Sequence, residues 1–275
     1  MDDHRPMNKT RIYQLLRNTY LINLADEILL FIDILKNIKQ NAEFRKNHHD
    51  VIVPPHRLAF DAYGSCNYQH YYNSGLDLAK LLDGLIRKKT NNRLVICEWG
   101  CGPARILPHF LHIDQGVDEV IGTDYNEQTI HWCKEKFPNI KFIANKLSSP
   151  LDLPTHSVDV LYCVSVFTHL SESQHYIWRD EIIRVLKPGG LFIGTFHGEK
   201  CQGHLLPDEL KIFQGGGLVV RGRIKEGRKH FLAYQSDKFM AKFLSNFENM
   251  EKLETPMIIQ TIWSGQTAQK QSTAT

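Results

Sequence analysis

A chain of 275 residues, 42% hydrophobic and 23% charged, has globular composition and room for one large α/β domain with an appendage. This excludes a disordered chain, a collagen-like repeat and a disulfide scaffold. Lys and Arg number 33 against 30 Asp and Glu, and the resulting +3 is too small to point to a nucleic-acid or membrane partner. The six cysteines (Cys66, Cys97, Cys101, Cys133, Cys163 and Cys201) form no Cys-x-x-Cys pair, and the first residues lack a basic-then-apolar leader. A cytoplasmic protein with reduced thiols is expected.

In chain order, residues 7–53 contain neither Gly nor Pro, which predicts a long helix. Leu21, Leu24, Ile28, Phe31, Leu35 and Ile38 recur in steps of three and four on one face, widened by Leu16, Ile22, Leu30 and Ile34. Such a face is expected to bury itself against the main domain or a second copy, so the helix is a candidate homodimer contact. Asp26, Glu27 and Asp33 interrupt it and argue against a membrane span. Pro54-Pro55 ends the region. The aromatic-rich Phe60–Gly75 stretch reads as neither strand nor helix throughout, and helical periodicity returns over Leu76–Lys89.

From there apolar strand-length runs alternate with helices. The runs are Leu94–Trp99, Glu119–Thr123, Lys141–Ala144, Val158–Val164 and Leu191–Phe196, and the helices lie near Ala104–Leu111, Glu127–Lys136 and Glu172–Leu186. The alternation calls for a mostly parallel sheet covered on both faces. A hairpin is expected from Leu218–Ile224 and His230–Tyr234, then a helix over Ser236–Phe247, then strands over Lys252–Ile259 and Gln260–Ala268, with a frayed tail from Thr267. The chain divides into a helical extension over 1–90 and an α/β domain over 91–270.

Leu94-Val-Ile-Cys-Glu-Trp-Gly-Cys-Gly-Pro-Ala-Arg105 passes from a buried strand through a glycine turn and, by Pro103, into a helix. Gly100 and Gly102 allow a ligand to approach the backbone, and free N–H groups of the turn and helix start are available to it. A dinucleotide site of the NAD type wants a third glycine where this chain has Arg105. An NAD-dependent oxidoreductase is therefore disfavoured, though it remains an alternative. Asp124 ends the next strand 22 residues beyond Gly102, placed to accept hydrogen bonds from both hydroxyls of a ribose; the other reading is a helix N-cap. Tyr125 is next to it, ready to lie against a base.

Glu98-x-Gly100-x-Gly102-x-Ala104, followed by Asp124, resembles the first two motifs of class I S-adenosylmethionine (SAM) methyltransferases, with Ala104 where that family usually has Gly. The resemblance runs from Leu94 to about Phe196. Phe142-Ile-Ala-Asn145-Lys-Leu147 matches the third strand, with Asn145 where the family often has an acid. Ser157-Val-Asp159 through Val164-Ser165 matches the fourth strand, and Arg184-Val-Leu-Lys-Pro-Gly-Gly190 the turn into the fifth. Val166-Phe-Thr-His-Leu-Ser-Glu and Thr195-Phe-His-Gly198 resemble a bacterial subgroup, several of whose members act on sugars or other small metabolites. The resemblance implies a Rossmann-like, mostly parallel sheet with an antiparallel C-terminal strand, a helical N-terminal cap, and SAM as co-substrate.

It also implies a cofactor site built from Glu98, the Gly100–Gly102–Ala104–Arg105 turn, Asp124, Tyr125, Asn145, Leu147 and Val164, with Tyr71 or Tyr72 reaching over from the cap. His169 after the fourth strand and His197 after the fifth lie at the carboxyl end of the sheet and are candidate bases for an acceptor hydroxyl. Asp159 begins its strand, at the wrong end for chemistry. His48-His49 and His109/His112 lack partners at ligand spacing, so no metal is expected. Arg221, Arg223, Lys225, Arg228 and Lys229 read as a solvated edge, or else as a patch for an anionic acceptor such as a phosphorylated sugar. The segment Cys163-Val-Ser-Val166 lacks the Asn/Asp-Pro-Pro-aromatic motif of base methylation. The expected activity is methyl transfer to a small molecule, at oxygen; the non-enzymatic alternative is a degenerate SAM-binding domain acting as a scaffold or partner.

Overall fold

A computed structural model of the chain describes residues 22–90, 92–113 and 116–269. Seven strands form one sheet in the order β3-β2-β1-β4-β5-β9-β8. These are β1 (Leu94–Trp99), β2 (Val117–Asp124), β3 (Lys141–Ala144), β4 (Val158–Cys163), β5 (Leu186–Phe196), β8 (Glu248–Leu253) and β9 (Thr261–Gln266). The first five pair in parallel, and β9 runs antiparallel between β5 and β8. The expected antiparallel closing strand is present. The terminal hairpin is shifted from its expected bounds: β8 ends at Leu253, and residues 254–260 form its turn. The tail is ordered further than expected, since Thr267 N donates to Gly190 O at 3.0 Å.

Period-two alternation places successive side chains on opposite faces of the sheet. Ile96, Val120, Phe142, Val160, Tyr162 and Ile193 pack under α3 (Tyr68–Arg87), α4 (Leu107–Ile113) and α5 (Glu127–Lys136). Cys97, Trp99, Ile121, Leu161, Cys163 and Phe192 pack under α6 (Glu172–Val185) and α8 (Asp237–Phe243). A two-stranded antiparallel ribbon, β6 (Leu218–Arg221) with β7 (Leu232–Gln235), follows α7 (Pro207–Gln214) and carries the loop of residues 222–231.

The chain before the sheet forms α1 (Ile22–Asn47), α2 (His56–Tyr63) and α3. Most of the aromatic segment is thus helical, with Asn67 accepting from His70 N to cap α3. The part of the long helix expected before Ile22 lies outside the described residues. Of the two expected burials, against the main domain or a second copy, the first is not seen: the rest of α1 docks on the domain through its other face. Its attachment joins polar contacts to one buried aromatic: Asn41 donates to Cys66 O and accepts from Tyr68 N, Asp33 accepts from Cys66 N, and Phe44 packs against Tyr68 and Tyr72. The apolar ridge faces solvent, with Leu24, Ile28, Phe31, Leu35 and Ile38 each more than half exposed at 61%, 53%, 62%, 52% and 53%. Buried asparagine amides with backbone partners at the right distance offset their desolvation, and this selects the docked face over the apolar one.

Candidate functional site

The turn after β1 is held from below by β2. Gly100 N and Cys101 N both donate to Thr123 O, at 2.7 and 2.9 Å, and Gly102 N donates to Asp124 Oδ2 at 2.9 Å. These N–H groups, expected to be free for a ligand, are therefore paired within the protein. Gly100, Gly102 and Ala104 all have positive φ, at 75°, 51° and 53°. A helix cannot begin at Pro103 as expected, because the left-handed residue at 104 breaks it; α4 starts at Leu107. Ala104 carries a Cβ in the conformation at which a glycine would be unstrained.

Above this turn opens a cleft of about 890 Å3 including its solvent-open mouth. Gly100, Asp124, Tyr125, Asn145, Leu147, Val164 and His169 all line it, so seven of the expected residues converge at the carboxyl ends of β1, β2, β3 and β4. Asp124 is buried. Its other oxygen accepts from Asn126 N at 2.8 Å, and burial raises its pKa against the pull of these backbone hydrogen bonds. Helix α5 is capped by Asn126 and not by Asp124, which leaves the remaining lone pairs of Asp124 for a ligand. Asn145 Nδ2 donates to Lys146 O, while its buried Oδ1 has no donor. Ser165 is held at a φ of 62° by Thr195 Oγ1, which accepts from its N–H, and by Gln260. Such strained backbone clusters at ligand sites.

His169 Nδ1 lies 2.7 Å from Phe231 O. A carbonyl can only accept, so Nδ1 carries the proton and Nε2 keeps its lone pair. Burial lowers the pKa of this imidazole, which favours the neutral base.

The other expected residues lie elsewhere. Glu98 is buried beneath the turn, accepting from Tyr162 OH at 3.0 Å, and burial pushes its pKa up to about 8. Arg105 packs over the Tyr63 ring at 4.5 Å and donates to Ser74 Oγ. The buried Tyr63 hydroxyl and Arg105 Nε have no hydrogen-bond partner, so this chamber around Gly102 retains unmatched donors. Tyr72 does not reach the cleft. It packs against Phe44, His48 and His109. Tyr71 is buried with its hydroxyl on Pro103 O at 2.8 Å. His197 does not line the cleft either: Nδ1 meets Ala233 O at 3.0 Å, the ring lies against Tyr234, and burial pushes its pKa down to about 4. Asp159 accepts from Val95 N and pairs with Lys187, a structural role at the far end.

Residues that sequence reasoning missed come from the extension and the ribbon loop. Asp61 of α2 and Gly227 and Lys229 of the loop line the cleft. Tyr125 OH donates to Gly227 O at 3.0 Å, and Gly227 N donates to His169 O at 3.0 Å. The loop thus roofs the cleft through Gly227 and Lys229, while Arg223, Lys225 and Arg228 are exposed as on the expected solvated edge. A Glu-Gly pair between two strands signals a turn but carries no mark of where the turn docks.

A Rossmann-like sheet with an acid at the end of β2 beside a glycine turn is the arrangement that open α/β folds use for nucleotide sites. Residues 97–194 match the family model described as a methyltransferase domain. Over 74 residues the chain is 36% identical to a curated protein of Mycolicibacterium smegmatis, named "Probable S-adenosylmethionine-dependent methyltransferase"; the match covers 27% of this chain and 28% of that relative's length. The fold is similar to a SAM-dependent methyltransferase structure from Methanosarcina mazei (TM-score 0.51, 19% identity, 68% of this chain and 98% of that one). It is also similar to a glycopeptide N-methyltransferase solved with SAM (TM-score 0.52, 10% identity, 70% and 94%). Residues 97–194 are thus similar to a methyltransferase domain on a fold shared with SAM-dependent methyltransferases, and the match spans little more than a quarter of the curated relative's length.

Among the described residues no helix is long and apolar enough to cross a membrane.

Proposed function

We propose that the protein transfers a methyl group from SAM to a hydroxyl of a small-molecule acceptor. The observation that carries this reading is His169, whose Nδ1 is committed to Phe231 O while the ring lines the cleft. Asp124 would hold the donor's ribose, Asn145 Oδ1 would accept from the adenine amino group, and Tyr125 and Leu147 would flank the base. Glu98 and the unmatched donors of Tyr63 and Arg105 suit the amino and carboxylate groups of the methionine end.

SAM supplies an electrophilic methyl on a sulfonium with a neutral leaving group, so the protein's work is alignment and exclusion of water. The acceptor oxygen bonds to the methyl carbon as the carbon–sulfur bond breaks with its electron pair going to sulfur, and the hydroxyl proton passes to His169 Nε2. The test is incubation of metabolite extracts with the protein and trideuteromethyl-SAM, followed by mass spectrometry. Labelled ethers support the reading. Binding of SAM with no labelled product in any extract supports a scaffold instead.

The small net charge supports a metabolite over nucleic acid as acceptor, and six free cysteines suit the cytoplasm. The ridge Leu24, Ile28, Phe31, Leu35, Ile38 repeats in steps of four and three, the spacing of a coiled-coil seam, and its exposure supports pairing with a second copy through α1. Light scattering is expected to give a dimer that Phe31→Glu with Leu35→Glu converts to monomer. A wild-type monomer across micromolar concentrations overturns the pairing.

A further inference from the structure

A second depression lies beside the donor cleft, about 1780 Å3 with its open mouth. The two share Asp61, Tyr125, Asn126, Gly227 and Lys229, so a molecule in one touches the contents of the other. The walls differ in kind. The donor cleft is lined by Trp99, Val164, Leu170 and Trp178 among its polar groups. The second depression is lined mostly by charged side chains, from α1, α2 and the loop of residues 222–231.

Its acids are already matched. Arg57 contacts Glu27 at 2.6 Å and Asp61 at 3.2 Å, while Lys229 and His230 both contact Asp26, at 3.1 and 3.0 Å. Lys225 and Arg228 also line the depression, and among the described residues neither has an ion-pair partner. The site therefore has positive charge in excess. These two cations flank Gly227, whose N–H and C=O are both tied down, to His169 O and by Tyr125 OH. The Glu226 carboxylate between them accepts from Ser171 N. A backbone fixed on three sides presents Lys225 and Arg228 from set positions, which lowers the ordering cost of binding an anion.

We propose that this depression is the acceptor site and that the acceptor carries an oxyanion, a phosphate monoester or a carboxylate, held by Lys225 and Arg228 while its hydroxyl faces the donor cleft across Gly227 and Asp61. The proposal rests on the reading of the first cleft as the donor site. The two are separable by experiment, because donor binding is measured alone. Arg57 and Lys229 close the sides of the depression through their pairs with α1.

The test uses the full chain saturated with S-adenosylhomocysteine and titrated with inorganic phosphate or succinate against chloride at constant ionic strength, with thermal unfolding as the readout. One or both anions are expected to raise the midpoint. The double variant Lys225→Ala, Arg228→Ala is expected to need at least about tenfold more anion for the same rise and to bind S-adenosylhomocysteine as wild type does. A response to phosphate alone assigns a phosphate monoester, and a response to succinate alone a carboxylate. No anion-specific rise in wild type, or equal rises in wild type and variant, overturns the proposal. Failure of wild type to bind S-adenosylhomocysteine overturns the donor reading instead.

Discussion

Asp124 Oδ2 accepts the backbone N–H of Gly102 at 2.9 Å, tying the end of β2 to the turn that follows β1. One carboxylate thus shapes the glycine turn and faces the cleft. Asp124→Ala removes an acceptor from two backbone donors and from the proposed ribose. Loss of hydrogen bonds to a charged group is expected to cost about 3 kcal/mol of binding, or roughly 100-fold in S-adenosylhomocysteine affinity by calorimetry. Unchanged affinity in a folded Asp124→Ala protein contradicts the ribose assignment.

His169 and His197 separate by what they touch. His169→Ala is expected to lower kcat by about 100-fold while leaving S-adenosylhomocysteine affinity within about threefold. His197→Ala leaves kcat near wild type and lowers the unfolding midpoint, since its ring fills space beside Tyr234. Because burial lowers the His169 pKa, the transfer rate rises with pH through a value below 6.5 and is flat above it. An unchanged rate in His169→Ala removes that residue from the reaction.

Stability against pH carries the signature of His197, whose folded pKa is about 4 against an ordinary 6.5. The folded protein keeps this ring neutral while the unfolded chain takes a proton below 6.5. Its contribution is complete above 6.5 and is lost as pH falls toward 4. Urea titrations are expected to show the difference between wild type and His197→Gln shrinking by about 1.4 kcal/mol per pH unit across that window. A difference independent of pH places the ring in solvent.

Glu98 has the opposite bias. With its pKa at about 8 it holds a proton at pH 7 in the free protein. If it meets the ammonium of the methionine end, binding drives that proton off. Calorimetry of S-adenosylhomocysteine at pH 7 in buffers of different ionisation enthalpy is expected to show release of most of one proton, absent in Glu98→Gln. Equal heats in all buffers remove Glu98 from the neighbourhood of the ligand.

Gly100 is constrained twice, by its φ of 75° and by Val166, whose Cγ2 would lie 2.3 Å from a Cβ at position 100. Gly100→Ala is expected to cost more than about 2 kcal/mol in urea unfolding, combining left-handed strain and overpacking. In the pair with Val166→Ala the overpacking part is recovered, so a double-mutant cycle shows a coupling of about 1 kcal/mol or more. Strict additivity would mean that the turn moves away from Val166.

The sheet was legible because its information is local. Each buried strand is an apolar run bounded by a turn or a cap, and the spacing of Gly100, Gly102 and Asp124 points to the proposed nucleoside site. What was illegible depends on distant partners. Nothing in Tyr-Tyr72 says which of two adjacent rings turns inward, and Tyr71 wins because its hydroxyl finds two backbone carbonyls, Pro103 O and Ala104 O. The apolar stripe of α1 predicted its own burial, whereas the contacts that dock the helix include Asp33, Asn41 and Phe44, on the opposite side of the helix. His197 resembled His169 in position, and the carbonyl of Ala233, 36 residues on, with the Tyr234 ring, holds it away from the cleft.

Asp26, nearly seventy residues before β1, ties the roof of the cleft to α1 through Lys229 and His230. Extension and ribbon are thus matched halves of one fastening, contributed from opposite ends of the sequence. A chimaera that borrows this α1–α2 module for another methyltransferase core would have nothing for Asp26 to grip unless the 222–231 loop travelled with it.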